Sequence, residues 1–252
     1  MAFQSAFRPA FQPAFRAAFG ASGAGETPLQ QAVIAAWDMQ EESGPLLPAK
    51  GGIEIPAFNS PGTVAGPASD ITARSMTASS NQEFGVNTAV SRPLFDARNG
   101  LTIAGWYFVS ATSLGAWRML NGAGASDLTD ANAQWSIRTF SGDIEFRVRQ
   151  ANGTVSAAIA SAANITSVWR LFVAECFDSE IRAYQWDGST LQDSGAVALT
   201  DAPMAPTANT AFSLRTFGGA TVGRAALLNL YSRKLTAEER IALLTPRLFS
   251  QL

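Results

Sequence analysis

The chain has 252 residues, 18 Lys and Arg against 20 Asp and Glu for a formal charge of −2, and no histidine. A near-neutral, slightly acidic chain carries no electrostatic footprint for nucleic acid or an anionic membrane. The lack of histidine excludes Ser-His-Asp and Cys-His nucleophiles and His-ligated zinc, and a single cysteine, Cys176, excludes an intrachain disulfide or a thiolate zinc site.

The first twenty residues repeat Ala-Phe every four positions, at Phe3, Phe7, Phe11, Phe15 and Phe19. On a helix a four-residue period drifts by about 40° per repeat, so these rings would share a broad stripe. Pro9 and Pro13 oppose an unbroken helix. Helical turns and polyproline-like extension both stay open. Burial of one Phe is worth roughly 1.5–3 kcal/mol, and so short a segment cannot bury five. Residues 1–20, with Arg8 and Arg16, therefore read as an arm that docks onto a partner protein or sister subunits. An arm that folds back onto its own domain or stays disordered is the alternative. Residues 21–30 read as a flexible linker. Arg, Gln and Pro interrupt the N-terminus as a signal peptide, and no apolar run reaches the roughly 18–20 residues of a membrane span.

From residue 31 the chain is strand-like. Ala32–Met39 reads as a first strand, and residues 40–100 as long loops with short strands at Ile53–Ile55, Ile71–Met76 and Phe84–Val86. Leu101–Val109 reads as a buried strand. In Asp143–Gln150, Ile144, Phe146 and Val148 alternate with Glu145, Arg147 and Arg149, the period of a half-buried strand. Gln134–Phe140 precedes it, and Asn152-Gly153 predicts a two-residue type I′ turn into Thr154–Ala160. Further strands are expected at Val168–Phe177, Glu180–Trp186, Ser194–Leu199, Ala211–Thr216 and Ala225–Tyr231, with a tight turn at Asp187-Gly188. One good helix follows a T-x-x-E capping box at Thr236 and Glu239, and Pro246 stops it. The pattern predicts an all-β antiparallel β-sandwich over residues 31–245, with one short C-terminal helix, an extended N-terminal arm and a tail at 246–252.

Four segments carry a family resemblance. Leu101–Val109 (LTIAGWYFV), Val168–Asp178 (VWRLFVAECFD), Ile181–Gly188 (IRAYQWDG) and Leu227–Leu244 (LLNLYSRKLTAEERIALL) resemble, in order and spacing, the signature strands of laminin-G-like and concanavalin-A-like domains. The resemblance covers about residues 32–245. It implies a jelly-roll sandwich in a family that includes sugar binders, protein binders and spacers. The Ala-Phe arm resembles the anchoring arms of tailed-bacteriophage structural proteins. That implies a virion location, other virion proteins as partners, homo-oligomers, and a role as tail fibre, adhesin or head decoration. The alternative is a decoration or scaffold subunit without ligand.

No Walker-type loop or G-x-G-x-x-G motif is present. Glycoside hydrolysis, the distant alternative, needs two positioned carboxylates. Asp143 and Glu145 are the nearest pair, and they read as a solvated strand face with Arg147. No catalytic residue is assigned. No cofactor is expected, with calcium at Asp127, Asp130 and Asn132 as the one exception to test. Sugar binding uses exposed Trp faces. Trp37, Trp106 and Trp169 lie in apolar strands and read as core. Trp117, Trp135 and Trp186 lie near strand ends and are the candidates for binding host-surface glycan. Cys176 reads as a buried small residue.

Overall fold

The computed structural model describes residues 26–110, 117–122, 132–140, 142–162, 166–217 and 221–246, apart from the side chain of Phe140. The predicted arm and its five Phe residues lie outside them, as do Asp127 and Asp130.

The described residues form two antiparallel sheets. In spatial order, one runs β14 (Leu191–Asp193), β13 (Glu180–Trp186), β12 (Arg170–Phe177), β7 (Leu101–Val109), β17 (Val222–Tyr231), β1 (Val33–Trp37) and β2 (Lys50–Gly51). In the same sheet β15 (Val197–Ala198) pairs with β13, β5 (Thr72–Thr77) with β17, and β4 (Gly62–Ala65) with β5. The other sheet runs β11 (Val155–Ala160), β10 (Asp143–Arg149), β9 (Trp135–Phe140), β8 (Trp117–Gly122), β16 (Ala211–Thr216), β6 (Glu83–Val86) and β3 (Ala57–Phe58). The fold is the all-β antiparallel sandwich the sequence predicts.

Two apolar layers result. Between the sheets, Ile103, Phe172 and Leu230 of one meet Met119, Trp135, Phe146 and Phe212 of the other. A second cluster covers the outer face of the ten-stranded sheet, including Leu29, Ala104, Trp106, Leu171, Tyr231 and Leu243. That sheet is therefore buried on both sides, which explains why β7 and β12 are apolar without alternation.

Two short helices close the outer layer. α1 (Pro28–Ala32) starts at a T-x-x-Q capping box, Thr27 with Gln30, and has Pro28 at its first turn. Its first three residues, 28–30, are the last three of the stretch read as linker. Leu29 is 0% exposed, and the Arg233 guanidinium donates to the Pro28 carbonyl at 3.1 Å. The folded domain thus begins by Thr27, because one apolar side chain in a polar segment finds a pocket. Leu29→Ala is expected to cost about 2–5 kcal/mol in urea unfolding, whereas a flexible linker would lose nothing. α2 (Ser91–Leu94) is an isolated turn. α3 (Ala237–Ala242) has the predicted box at Thr236 and Glu239. Arg233 grips the Glu239 carboxylate with two bonds of 2.7 and 2.6 Å.

The β10–β11 connection differs from expectation. Arg149 pairs with Val155, the Gly153 amide donates to the Gln150 carbonyl at 2.9 Å, and Gly153 has φ +86° while Asn152 keeps a negative φ. This is a three-residue loop, a type I turn closed by a left-handed glycine. A type I′ turn needs positive φ at both central residues. β8 was not foreseen: its six residues follow no apolar run, yet it is central, paired to both β9 and β16.

Several carboxylates tie loops to this frame. Burial works against ionisation of Asp96, but hydrogen bonds from Arg98 and from Gln134 (2.7 Å) outweigh it and hold its carboxyl below the usual range. Glu239 is likewise opposed by burial and lowered by Arg233. Both folded values lie under the unfolded ones, so their stabilisation is complete above about pH 4–5 and is lost as pH falls through the folded values. The thermal midpoint is expected to drop between pH 5 and pH 3. An unchanged midpoint would contradict these assignments.

Candidate functional site

Two of the three tryptophans assigned to sugar binding are core residues. Trp117 and Trp135 are 0% exposed and sit between the sheets. Trp117 packs against Tyr107 and Phe172 at 5.2 and 5.5 Å between ring centroids, and the Trp135 indole donates to the Phe95 carbonyl at 2.8 Å. Their strands pair on both sides, so side chains at inward positions have no route to solvent. Trp186 is half-buried, on the outer face of the ten-stranded sheet.

The carboxylate pair is taken up structurally. Asp143 accepts the Ala162 amide at 2.8 Å and the Ser161 hydroxyl at 3.3 Å. Glu145 is not a solvated strand residue: it is 6% exposed and ion-paired with Arg138 on β9. Of the calcium candidates, the Asn132 side-chain oxygen accepts from Thr207 at 3.2 Å, and its backbone carbonyl from Thr210 at 3.1 Å. Among the described residues no group of three acids or cysteines could hold a metal ion. Cys176 is buried as expected, and burial pushes its thiol up to about 12. It should not react with a thiol reagent until the domain unfolds.

The outer face of the ten-stranded sheet carries an aromatic platform. Strand alternation sends Ile103 and Tyr107 of β7 to the inner core, and Ala104 and Trp106 to the outer layer, with Phe108 following on that side. Leu171 faces Trp106, which faces Ala226 across β17. One register step on, Phe108 faces Arg224, and Arg224 faces Ser75. Trp169, just before β12, lies with its ring 5.8 Å from Phe108 at 55°. The Arg224 guanidinium lies over the Phe108 ring, 4.2 Å from its centroid. Trp186 ends β13 opposite Leu191. Trp169, Trp186, Leu191 and Phe108 are half-buried and Val168 is exposed.

The Trp106 indole N–H is buried and has no hydrogen-bond partner among the described residues, as is also true of Trp117 between the sheets, whereas Trp37 donates to the Ile53 carbonyl at 2.8 Å. The platform also stands on fixed backbone. Leu227, in β17, adopts φ +56° at a bulge where the register with β7 shifts between Ala226 and Asn229. This places Ala226 and Leu227 on the outer side together. The turn beyond Trp186 is held by Asp187, which accepts from the Ser189 and Thr190 amides at 2.7 Å and from Gln192 at 2.7 Å. Slight burial opposes this ionisation, yet the hydrogen bonds hold the Asp187 carboxyl at about 2.

Sequence reasoning placed Trp106 in the core, where it is 6% exposed, placed Trp169 there although it is half-buried, and missed Phe108 and Arg224. The available signal was parity: in LTIAGWYFV, Trp106 and Phe108 share a face, opposite Tyr107.

The outer face of the other sheet is built on charge. Arg118 faces Arg215 on one side and Arg138 on the other, and Glu83 and Glu145 close the row. Phe217 lies beneath both Arg118 (4.3 Å) and Arg215 (4.5 Å). Burial first, then Arg138, Arg215 and Arg147, pull the Arg118 pKa down to about 10.

No family model matches the chain, and no curated protein matches it. Solved structures do. The receptor-binding domain of botulinum neurotoxin mosaic serotype C/D superposes with a TM-score of 0.59 at 12% identity, covering 84% of this chain and 50% of that one. The binding domain of Paraclostridial Mosquitocidal Protein 1 gives 0.61 at 15% identity, covering 85% and 52%. The binding domain of botulinum neurotoxin DC in complex with rat synaptotagmin II gives 0.61 at 10%, covering 86% and 52%. The chain thus spans about half the length of these structures. At such identities the likeness shows the fold alone, the antiparallel β-sandwich.

Proposed function

We propose that this sandwich is a non-enzymatic glycan-binding domain whose ligand rests on Phe108, Trp169 and Trp186, and that the Phe arm anchors it on a bacteriophage-type particle. The observation carrying the first half is the platform itself, where Phe108, Trp169 and Trp186 are half-buried on the outer face of the ten-stranded sheet and Phe108 and Trp169 are in ring contact. Aromatic faces accept the apolar face of a sugar ring. The neighbours lend this reading support of a weaker kind. The binding domain of botulinum neurotoxin DC is solved in complex with SialylT, and cell entry of botulinum neurotoxin type C depends on two ganglioside molecules. The second half rests on the repeat from Phe3 to Phe19.

A glycan array with the full chain is expected to show binding that the double variant Trp169→Ala/Trp186→Ala loses. A blank array, with particle incorporation intact, would leave a purely structural subunit. Deleting residues 1–20 is expected to abolish incorporation and leave glycan binding unchanged. Full occupancy of the truncated protein would overturn the docking role.

A further inference from the structure

We propose that the glycan is acidic, and that Arg224 receives its carboxylate or sulfate ester at the edge of the aromatic platform. This rests on the glycan-binding reading above. Arg224 belongs to β17, directly across from Phe108, and stacks on that ring at 4.2 Å. Phe108 in turn contacts Trp169 at 5.8 Å. A sugar lying on Trp169 and Phe108 therefore has a guanidinium at its margin.

The charge of Arg224 is unmatched. Seven other arginines, at 74, 98, 138, 182, 215, 233 and 240, each face a carboxylate in an ion pair. Arg224 faces none among the described residues; its Nε–H is buried without a hydrogen-bond partner, as are those of Arg74 and Arg215, so the missing carboxylate is what sets Arg224 apart. The residues flanking it in the register, Val222, Ala226, Phe108, Ser75 and Arg74, include no acid. A half-buried cation with an unsatisfied donor is costly unless an anion completes it. An oxyanion on the guanidinium edge does both at once, accepting the hydrogen bonds and neutralising the charge. The contact with the Phe108 ring keeps the guanidinium beside the platform.

Carboxylate and sulfate share this chemistry, so the test separates them. The full chain is titrated calorimetrically with oligogalacturonate (carboxylate), keratan sulfate oligosaccharide (sulfate) and neutral maltohexaose and chitohexaose. At least one acidic probe is expected to bind about tenfold or more tightly than the neutral ones, with affinity falling as salt rises. Arg224→Gln is expected to bring that probe down to the neutral level, and Arg224→Lys to fall between. Equal binding of acidic and neutral probes, or an acidic affinity that survives Arg224→Gln, overturns the anionic assignment and leaves the platform standing. Binding of no probe, or binding unchanged by Trp169→Ala, overturns the platform and the assignment with it. The melting temperature of both Arg224 variants, expected at the wild-type value, separates lost recognition from lost folding.

Discussion

Replacing Glu145 with Gln is expected to destabilise the domain by about 3–5 kcal/mol, a large share of the roughly 5–15 kcal/mol that holds a typical domain together. Glu145 and Arg138 are paired across β10 and β9 with side chains 8% and 7% exposed. Removing the carboxylate leaves the Arg138 charge in a desolvated row where Arg118 stands directly opposite. Like charges across strands repel, and low solvent access amplifies the repulsion. Urea unfolding checks the value. The double variant Glu145→Leu/Arg138→Met removes both charges and is expected to be more stable than Glu145→Gln alone. Asp193→Asn breaks the far more exposed pair with Arg182 and is expected to cost under about 1 kcal/mol. A Glu145 variant as mild as that one would mean the row is solvated after all.

The second large effect separates two kinds of tryptophan. Trp135→Ala opens a cavity between the sheets and removes the hydrogen bond to Phe95, and is expected to cost about 3–5 kcal/mol. Trp169→Ala is expected to leave unfolding nearly unchanged and to weaken glycan binding by roughly thirtyfold or more, the scale of an aromatic hot spot. Melting curves and glycan titrations on the same two variants give this crossed pattern. If Trp169→Ala instead unfolds the domain while binding per folded molecule persists, Trp169 is packing and the platform is misassigned.

Much of the fold was legible because turns and periodicity are local. Glu180–Trp186 and Ala211–Thr216 form strands at the bounds their apolar patterns predicted, and the Thr236–Glu239 box starts a helix. The elements that escaped depend on distant partners. α1 exists because Leu29 reaches the outer layer near α3, and β8 because it is clasped between β9 and β16. Depth was the least legible property. Trp117 sits at the start of a short, polar-looking strand and is buried, whereas Trp169 precedes a strongly apolar strand and is half-exposed. Which side of a strand reaches solvent depends on the layer above it, and no local pattern carries that information. The charge row was misread for the same reason: alternation put Glu145 on the outward face, where burial was not visible from the residues.

The most direct test of the glycan platform uses the six tryptophans as reporters. Each indole N–H gives one cross-peak in a proton–nitrogen correlation spectrum. On titration with a bound oligosaccharide, the peaks of Trp169 and Trp186 are expected to shift together with a common affinity. Trp37, Trp117 and Trp135, sealed between the sheets, are expected to stay in place. Shifts confined to the core set, or no shift at Trp169 and Trp186 under saturating ligand, would contradict a ligand site on the outer face of the ten-stranded sheet.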